Sequence, residues 1–427
     1  MEAEATGKQS GKKIYFGWFI VAVGFLVMVF SYAPSYAMLG LFIKPLAEEF
    51  EIARTMSTAI SALSSVSGMV TSLFAGRFLV AHDIRRTAML ALGIQSINYL
   101  VCYSFAPSIV LVMVGAFING ALNMLITTIP ISILINNWFG CKLRGKALSI
   151  AMVGSGVGGT VLAPIVGTII ENFGWRMGYR FFAVLSLCLI PLVWAAFVRH
   201  PQNKGLATLG CEDATDGCEA PVDTLGGIPA KTARRLPMFW LFVVGTVLTS
   251  GAAQTWNVNN APFFSDQGFS VIQVAFLVSV CQIGLSVSKL LAGAISDKWG
   301  PKWAFTFCAG GLIAGFSLAI FVGRASFLAY PATILAGAGI AIPTVVTALL
   351  TRDLFGNKDY APLLGIAECA MKLGSATLPL TMSIVYDAVG HYTPALIGVA
   401  VLCAAGLGLV LAAFRLKPAS RQRHWVE

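Results

Sequence analysis

The sequence predicts an all-α membrane protein in which twelve transmembrane helices form two pseudo-symmetric bundles of six. Of the 427 residues, 57% are hydrophobic and 11% are charged, whereas a soluble protein carries about 25% charged residues. Apolar runs of roughly 20 residues, long enough to cross the hydrocarbon core of a bilayer, recur along the chain. A polar stretch divides them into six and six, and short motifs recur between the two sets.

Twelve apolar runs are predicted to span the membrane. They cover residues 15–41, 56–81, 87–104, 108–136, 147–170, 180–198, 238–264, 271–296, 303–323, 326–351, 361–386 and 393–415. Eleven runs follow the first one, which argues against a cleaved secretory signal. Most of the nine cysteines lie inside the runs, where a thiol behaves as a small hydrophobic group. Cys211 and Cys218 lie in the central polar stretch without nearby histidines, so we expect no metal and no cofactor.

Basic residues predict the orientation of the chain. With both termini cytoplasmic, 22 of the 29 lysines and arginines lie inside, 5 lie outside and two lie within runs. This bias predicts a multi-pass protein of the cytoplasmic membrane with both termini inside. The net charge of +10 is therefore a topology signal, and we expect no nucleic-acid partner. The predicted layout is a tail (1–14), an N-terminal bundle (15–198), a cytoplasmic linker (199–237), a C-terminal bundle (238–415) and a second tail (416–427).

Two sequence echoes predict an internal duplication. The stretch AGRFLVAHDIRR at 75–86 aligns with AGAISDKWGPKW at 292–303, at an offset of 217. NNWFG at 136–140 aligns with RDLFG at 352–356, at an offset of 216. In membrane proteins such repeats are typical of transporters whose binding site lies between the repeats.

The second copy of the first echo resembles the loop signature of the major facilitator superfamily, G-x-x-x-D-[RK]-x-G-[RK]. Its residues here are Gly293, Asp297, Lys298, Gly300 and Lys302, whereas the first copy keeps only Gly76, Arg85 and Arg86. The resemblance implies a gating role for this loop. Charge-assisted hydrogen bonds from the two lysines to Asp297 would latch the cytoplasmic face, and a short solvated turn is the alternative.

A longer stretch resembles the oxalate:formate antiporter family and the related monocarboxylate porters. It runs WFGCKLRGKALSIAMVGSGVGG over 138–159 and is followed by Pro164 and GWR at 174–176. The resemblance implies a carrier of small carboxylates. In that family a basic residue four positions before the signature glycine, and another in the eleventh helix, bind the carboxylates; Lys289 and Lys372 match these positions. The monocarboxylate porters have an aspartate where this chain has Leu285.

The two lysines are also singled out by physical chemistry alone. A lysine near the bilayer centre costs about 2.5–3.5 kcal/mol on insertion scales, unless it faces a partner or water. Their counterparts in the first repeat are the uncharged Ser72 and Gly156, so the C-terminal half is expected to supply all the positive charge of the site. Glu368, the one carboxylate predicted deep in a span, lies one turn before Lys372 and is the candidate coupling residue. The alternative is an ion pair within the helix that keeps Lys372 charged.

Neutral side chains are the remaining candidates. Gln282 shares a helix face with Lys289 and is expected to contact substrate. Asn119, Asn123, Tyr32, Tyr36 and Trp256 are also candidate substrate contacts. The alternative for the two asparagines is hydrogen bonding between helices. The alternative for the two tyrosines is packing, and that for Trp256 is a place in the interfacial aromatic belt. Gly154, Gly156, Gly158 and Gly159 predict close helix packing, and so does Gly293.

These patterns together predict a secondary transporter. The expected cargo is a small organic anion, a mono- or dicarboxylate, moved by alternating access with proton symport or with exchange for a counter-anion. A monomer is expected, and the sequence has no motif of a membrane enzyme. The alternatives are an exporter of larger amphipathic compounds on the same fold, and a membrane sensor that moves nothing.

Overall fold

A computed structural model describes residues 15–139, 141–204, 209, 226–356 and 359–424, and these residues are nearly all helical. Helices 1 to 6 make up the N-terminal bundle. Helix 1 consists of Phe16–Val27, Met28–Tyr32, Ala33–Tyr36 and Leu39–Glu49; helix 2 is Arg54–Ala81; helix 3 is Ile84–Asn98 with Tyr99–Ser104; helix 4 is Ile109–Ile126 with Thr128–Trp138; helix 5 is Cys141–Phe173; and helix 6 is Trp175–Ala196.

Helices 7 to 12 make up the C-terminal bundle. They are Pro237–Asp266, Val271–Trp299, Pro301–Ala319, then Ala329–Gly339 with Ile342–Val346 and Thr347–Phe355 as helix 10, Tyr360–Val389, and Thr393–His424. Three short segments, Pro201–Lys204, Ala230–Ala233 and Ser326–Leu328, lie outside these helices.

The predicted fold class is confirmed, with helices at all twelve expected positions. Ten of these helical regions are long and apolar enough to cross a membrane. The other two, helices 2 and 3, have sufficient length but carry more polar side chains, because helix 2 is rich in serine. Its buried serines face the other helices of the protein.

Several helices depart from the predicted bounds. Helix 1 continues to Glu49 because a turn at Ala37 and Met38 bends it without ending it. Helices 1, 3 and 10 each contain one π-helical turn, at Met28–Tyr32, Tyr99–Ser104 and Ile342–Val346. Such turns arise from tertiary packing and often mark functional regions, so hydropathy alone does not predict them.

The apolar core shows how the two bundles meet. Helix 1 begins and helix 12 ends at the same end of the molecule, which we call the termini side. We call the opposite end the far side. One core cluster draws on both bundles, including Tyr99, Leu162, Trp256 and Met382. Two further clusters each belong to one bundle. The bundles are therefore joined toward the far side and have separate cores toward the termini side.

The segment that connects the bundles hydrogen-bonds to both of them. The Leu209 N–H donates to the carbonyl of Trp138 at 3.2 Å, and the Ile228 N–H donates to the carbonyl of Phe355 at 2.8 Å. The two acceptors lie one position apart in the alignment of the internal repeat, in which Phe139 pairs with Phe355. Cys211, Cys218 and residues 1–14 lie outside the described residues, so the predictions made for them stay predictions.

Candidate functional site

Polar contacts close the far side of the interface between the bundles. Thr58 Oγ1 of helix 2 lies 2.7 Å from Ser383 Oγ of helix 11, and Lys44 Nζ donates to Ser265 Oγ at 2.9 Å. Nearer the middle, the Asn257 side-chain amide donates to the backbone carbonyl of Tyr36 at 2.9 Å. The candidate site lies where this closed interface gives way to the separate cores of the termini side.

Lys289 reaches from helix 8 to the N-terminal bundle. Its Nζ donates to Ser155 Oγ of helix 5 at 3.1 Å, and the residue is half-buried. Among the described residues, no carboxylate oxygen lies within 4.0 Å of this ammonium group. Lys289 is thus held at the interface by a neutral hydroxyl, with its charge uncompensated.

Glycines on both sides of Ser155 allow helix 8, which carries Lys289, to approach helix 5 closely. A Cβ added at Gly156 would lie 2.0 Å from Ser286 Oγ, and one added at Gly159 would lie 2.4 Å from Cγ of Gln282. On the other side of helix 5, Gly154 and Gly158 pack against the backbone of helix 1. The glycine-rich stretch therefore lets side chains of helix 8 pack directly on the backbone of helix 5, and lets helices 5 and 1 meet backbone to backbone.

Lys372 reaches the N-terminal bundle from helix 11. Its Nζ lies 5.6 Å from the centroid of the Tyr36 ring, which is within the range of a cation–π contact. The Tyr32 ring packs beside that of Tyr36, with centroids 4.8 Å apart. The buried Tyr36 hydroxyl has no hydrogen-bond partner among the described residues. A second cation, with no carboxylate of the described residues in direct contact, thus faces an aromatic wall.

Exposure along one face of helix 11 changes around Lys372. Ser383 and Ala376 are buried, at 1% and 5% exposure. Lys372 is half-buried, and Glu368, one turn further toward the termini side, is exposed. The same face therefore passes from the closed interface into an open cleft. The depth of Glu368 within the span stays a prediction, and its side chain is exposed in this conformation. No carboxylate of the described residues lies within 4.0 Å of Lys372, but Glu368, one turn away, interacts with it electrostatically. The coupling role of Glu368 and the ion pair within the helix therefore both stay predictions.

Gln282 lies at the interface two turns from Lys289. Its Nε2 donates to Asn257 Oδ1 at 3.3 Å, and Asn257 in turn donates to the carbonyl of Tyr36. Gln282 is only 2% exposed. This chain of hydrogen bonds joins helices 8, 7 and 1. Gln282 therefore lies where the three helices meet, and its side-chain amide already donates a hydrogen bond to Asn257.

Comparison with known families decides the identity of this architecture. The model described as Major Facilitator Superfamily matches residues 24–263 and again residues 242–425. The chain belongs to the major facilitator superfamily. It is accordingly a transporter and not an enzyme, and its two matched segments agree with the internal duplication.

Individual relatives of this major facilitator protein are distant. A protein named Monocarboxylate transporter 11 from Mus musculus is 26% identical over 287 residues, covering 67% of this chain and 60% of its own length. The Hexuronate transporter of Escherichia coli strain K12 is 24% identical over 301 residues, covering 66% of this chain and 68% of its own. The chain thus spans about three fifths of the length of the mouse relative.

A solved structure shares the fold. It is that of a bacterial homolog to the human lysosomal transporter Spinster, in an inward-facing and unoccupied conformation. Its TM-score is 0.74 at 13% sequence identity, and the match covers 97% of this chain and 99% of that one. At this identity the likeness shows the major facilitator fold alone.

Three side chains predicted to contact substrate contact other residues of this major facilitator protein. Asn119 Oδ1 accepts from Gln95 Nε2 at 3.0 Å, and Asn123 Nδ2 donates to Ser35 Oγ at 2.7 Å. Both asparagines are buried inside the N-terminal bundle and hydrogen-bond between helices, while Asn123 Oδ1 has no partner among the described residues. Their contact with substrate stays a prediction. Trp256 is 1% exposed, and its ring centroid lies 5.3 Å from that of Phe316. It packs in the far-side core in this conformation, so its contact with substrate stays a prediction.

The major facilitator loop motif is partly described. In the first copy, Arg85 Nε donates to the carbonyl of Phe197 at 3.2 Å, and the exposed Arg86 lies 3.7 Å from Asp83. In the second copy, the Lys298 and Lys302 ammonium groups lie 5.2 and 5.8 Å from the rings of the tryptophans that follow them. Gly76 and the side chain of Asp297 fall outside what the structure describes, so the latch stays a prediction.

Two glycines of the second motif copy differ in their surroundings. Gly300 has a φ of +95° and begins helix 9, a conformation that glycine adopts without strain. A Cβ at Gly293 would meet nothing within 4 Å. Close packing at Gly293 is therefore a wrong prediction for this conformation, because the bundles are apart at that level.

Sequence reasoning missed Ser155 and the far-side residues Arg54, Asp266 and Asp387. Ser155 stands in the glycine-rich stretch, where it reads as one more small packing residue. The three charged residues lie at helix ends, where charge is ordinary. The sparse charge of the far-side loops was the one available signal for them.

Proposed function

We propose that this major facilitator protein carries a small organic anion, a mono- or dicarboxylate, across the cytoplasmic membrane by alternating access. The observation that carries the proposal is the pair Lys289 and Lys372. Both extend from the C-terminal bundle to neutral groups of the N-terminal bundle, and neither has a carboxylate within 4.0 Å among the described residues.

The energetics favour an anion as the missing partner. Two lysine charges within a membrane-spanning region are costly unless a partner or water compensates them. A carboxylate that meets an ammonium group in a site of low dielectric forms the stronger, charge-assisted class of hydrogen bond. The N-terminal bundle offers Ser155 and the Tyr36 hydroxyl there, which supply neutral hydrogen bonds and leave the charge match to the lysines.

Orientation and relatives support the same proposal. Basic residues concentrate on the termini side, which favours a cytoplasmic location for that side. The described conformation would then be open toward the cytoplasm. The names of two relatives, a monocarboxylate transporter and a hexuronate transporter, both refer to carboxylate compounds. We propose that the protein works as a monomer, since the site lies within one chain.

The test is uptake by proteoliposomes against a panel of labelled acids. We expect saturable uptake of one or more small carboxylates, driven either by a pH gradient or by an acid loaded inside. The two driving conditions distinguish proton symport from anion exchange. Transport of amphipathic cations or neutral compounds in place of the acids would contradict the proposal and favour the exporter alternative.

Glu368 is the proposed coupling residue. With Lys289, Lys372 and Glu368 charged, the site carries one net positive charge, which matches a monocarboxylate. A dianion would leave one negative charge unless Glu368 took up a proton. We expect Glu368→Gln to leave monocarboxylate uptake within about two-fold of the original rate, because the lysines remain. It should abolish the proton taken up with a dianion, measured with a pH-sensitive dye. An unchanged proton-to-dianion ratio would remove Glu368 from the coupling scheme.

A further inference from the structure

Arg54 of the N-terminal bundle fits into a group of side chains from the C-terminal bundle at the far side. Its guanidinium donates to both oxygens of Asp266, with Nη2 at 2.6 Å from Oδ1. Nη1 also donates to the Tyr392 hydroxyl at 2.9 Å. The planar guanidinium matches the carboxylate with two parallel hydrogen bonds, which a lysine does not do.

Two aromatic rings complete this arrangement. The Arg54 Cζ lies 4.2 Å from the centroid of the Tyr386 ring and 5.8 Å from that of Tyr392. The two tyrosine rings pack with centroids 4.3 Å apart. We call Asp266, Tyr386 and Tyr392 the guanidinium seat. A carboxylate and aromatic faces are together the surroundings that bind organic cations.

Asp387 performs a separate task beside the seat. Helix 2 has Ala53 at its N-cap, which offers no side-chain acceptor. The carboxylate of Asp387 accepts from the backbone N–H groups of Arg54 at 3.3 Å and Thr55 at 3.0 Å, and from the Thr55 hydroxyl. A helix of one bundle is thus capped by the other bundle. The carboxylate of Asp387 accepts the hydrogen bonds of this cap, and Asp266 is the carboxylate that faces the guanidinium.

A cavity adjoins the seat, and Arg54 is not among the residues that line it. It measures about 450 Å³ and is lined by Asp266, Tyr386 and Tyr392 together with Gln267 and His391, among others. This volume lies in the range of small-molecule sites, about 300–1,000 Å³. His391 is exposed, so the cavity lies at the surface of the far side.

We propose that the guanidinium seat is a binding site for guanidinium-type organic cations on the far side. Arg54 occupies it while the bundles are closed there, and a free guanidinium compound occupies it when they separate. The inference rests on the proposed function only in requiring that the far side opens. Because all three seat residues come from the C-terminal bundle and Arg54 from the other, a bound cation prevents Arg54 from returning.

The seat therefore makes different predictions for two forms of the protein. In the original chain, a free guanidinium compound competes with Arg54 and holds the far side open. In Arg54→Ala the seat has lost its own occupant, so the same compound displaces no residue of the N-terminal bundle and should not change the balance between the closed and open forms. A neutral molecule of the same shape lacks the charge and should not compete with Arg54 in the original chain.

The experiment measures how fast a cysteine introduced at Thr58 reacts. Thr58 is fully buried at the closed far-side interface, so its reaction with a membrane-impermeant sulfonate thiol reagent reports opening. Each rate is measured in proteoliposomes with no transported acid present and is corrected with the chain that keeps Thr58. The probes are N-methylguanidinium and its neutral analogue N-methylurea, at about 10 mM, a concentration suited to a weak single-site ligand.

We expect N-methylguanidinium to raise the reaction rate of Thr58→Cys at least about five-fold, by shifting the population toward the open form. With Arg54→Ala added, the rate without ligand should be higher, and N-methylguanidinium should no longer change it. Asp266→Asn should abolish the response of the original chain. Arg324→Ala, which removes an exposed arginine of the same side, is the matched control and should respond as the original chain does.

Equal effects of N-methylguanidinium and N-methylurea on Thr58→Cys would overturn the proposal, and so would a full response in Arg54→Ala or in Asp266→Asn. Arg54→Lys serves as the second variant if Arg54→Ala folds poorly. It keeps the charge but not the planar fork, and should be intermediate. Since no carboxylate is used, a failure here is distinguishable from a failure of anion uptake.

Discussion

Replacing Lys289 by alanine is expected to lower carboxylate uptake at least about 100-fold in kcat/KM. A charge-assisted contact in a site shielded from water is worth about 3 kcal/mol when one partner is removed, and each 1.4 kcal/mol is a factor of ten. Lys372→Ala should have a comparable effect. The double variant should lose little more than either single one, because both lysines bind the same anion as a unit.

Stability and function separate cleanly in this test. A lysine in a membrane span opposes insertion by about 2.5–3.5 kcal/mol, so Lys289→Ala should insert and fold at least as well as the original chain. Lys289→Arg keeps the charge, and we expect uptake within about ten-fold of the original rate. Lys231→Ala, which removes an exposed lysine outside the transmembrane helices, is the matched control. Normal uptake by well-folded Lys289→Ala and Lys372→Ala would end the anion-site proposal.

The second large effect is expected at Gly120, where helices 4 and 2 meet backbone to backbone. A Cβ at Gly120 would lie 2.1 Å from the carbonyl oxygen of Ser64 and 2.8 Å from its carbonyl carbon. The obstacle is helix backbone, which cannot rotate away as a side chain can. Gly120→Ala must therefore move a whole helix, and overpacking of this kind costs about 1–3 kcal/mol.

Gly93→Ala provides the matched control for this prediction. Gly93 lies in helix 3, and a Cβ there would meet nothing within 4 Å. Alanine favours a helix by about 1 kcal/mol over glycine, so this variant should be neutral or more stable. Thermal unfolding in detergent should show a lowered midpoint for Gly120→Ala alone. Equal midpoints for the two variants would contradict close packing at Gly120.

The sequence predicts most of the fold because the bilayer leaves few alternatives. Backbone polar groups within lipid must bond inside their own segment, so long apolar runs become helices at the expected positions. The bends do not follow from hydropathy. The π-helical turn at Ile342–Val346 and the break in helix 4 at Thr127, whose φ and ψ are both −103°, depend on how neighbouring helices pack.

Some residues of the candidate site can be predicted from the sequence and others cannot, for the same physical reason. Lys289 and Lys372 are identifiable from sequence because a charge in lipid needs an explanation wherever it points. Asn119 and Asn123 are not, because a polar stripe on one helix does not reveal which neighbour it faces. Their partners Gln95 and Ser35 lie on helices 3 and 1. The guanidinium seat escapes prediction for a related reason, since its members come from distant parts of the chain.

The hydrogen bonds of the connecting segment bear on how the two bundles stay together. Between Leu209 and Ile228 the chain makes 19 steps from one Cα to the next, a reach of about 65 Å when fully extended. That exceeds the roughly 45 Å length of a 30-residue helix such as Pro237–Asp266. Covalent continuity therefore sets no close limit on separation. It holds each bundle at a high effective concentration around the other, and the contacts of the interface decide which arrangement prevails.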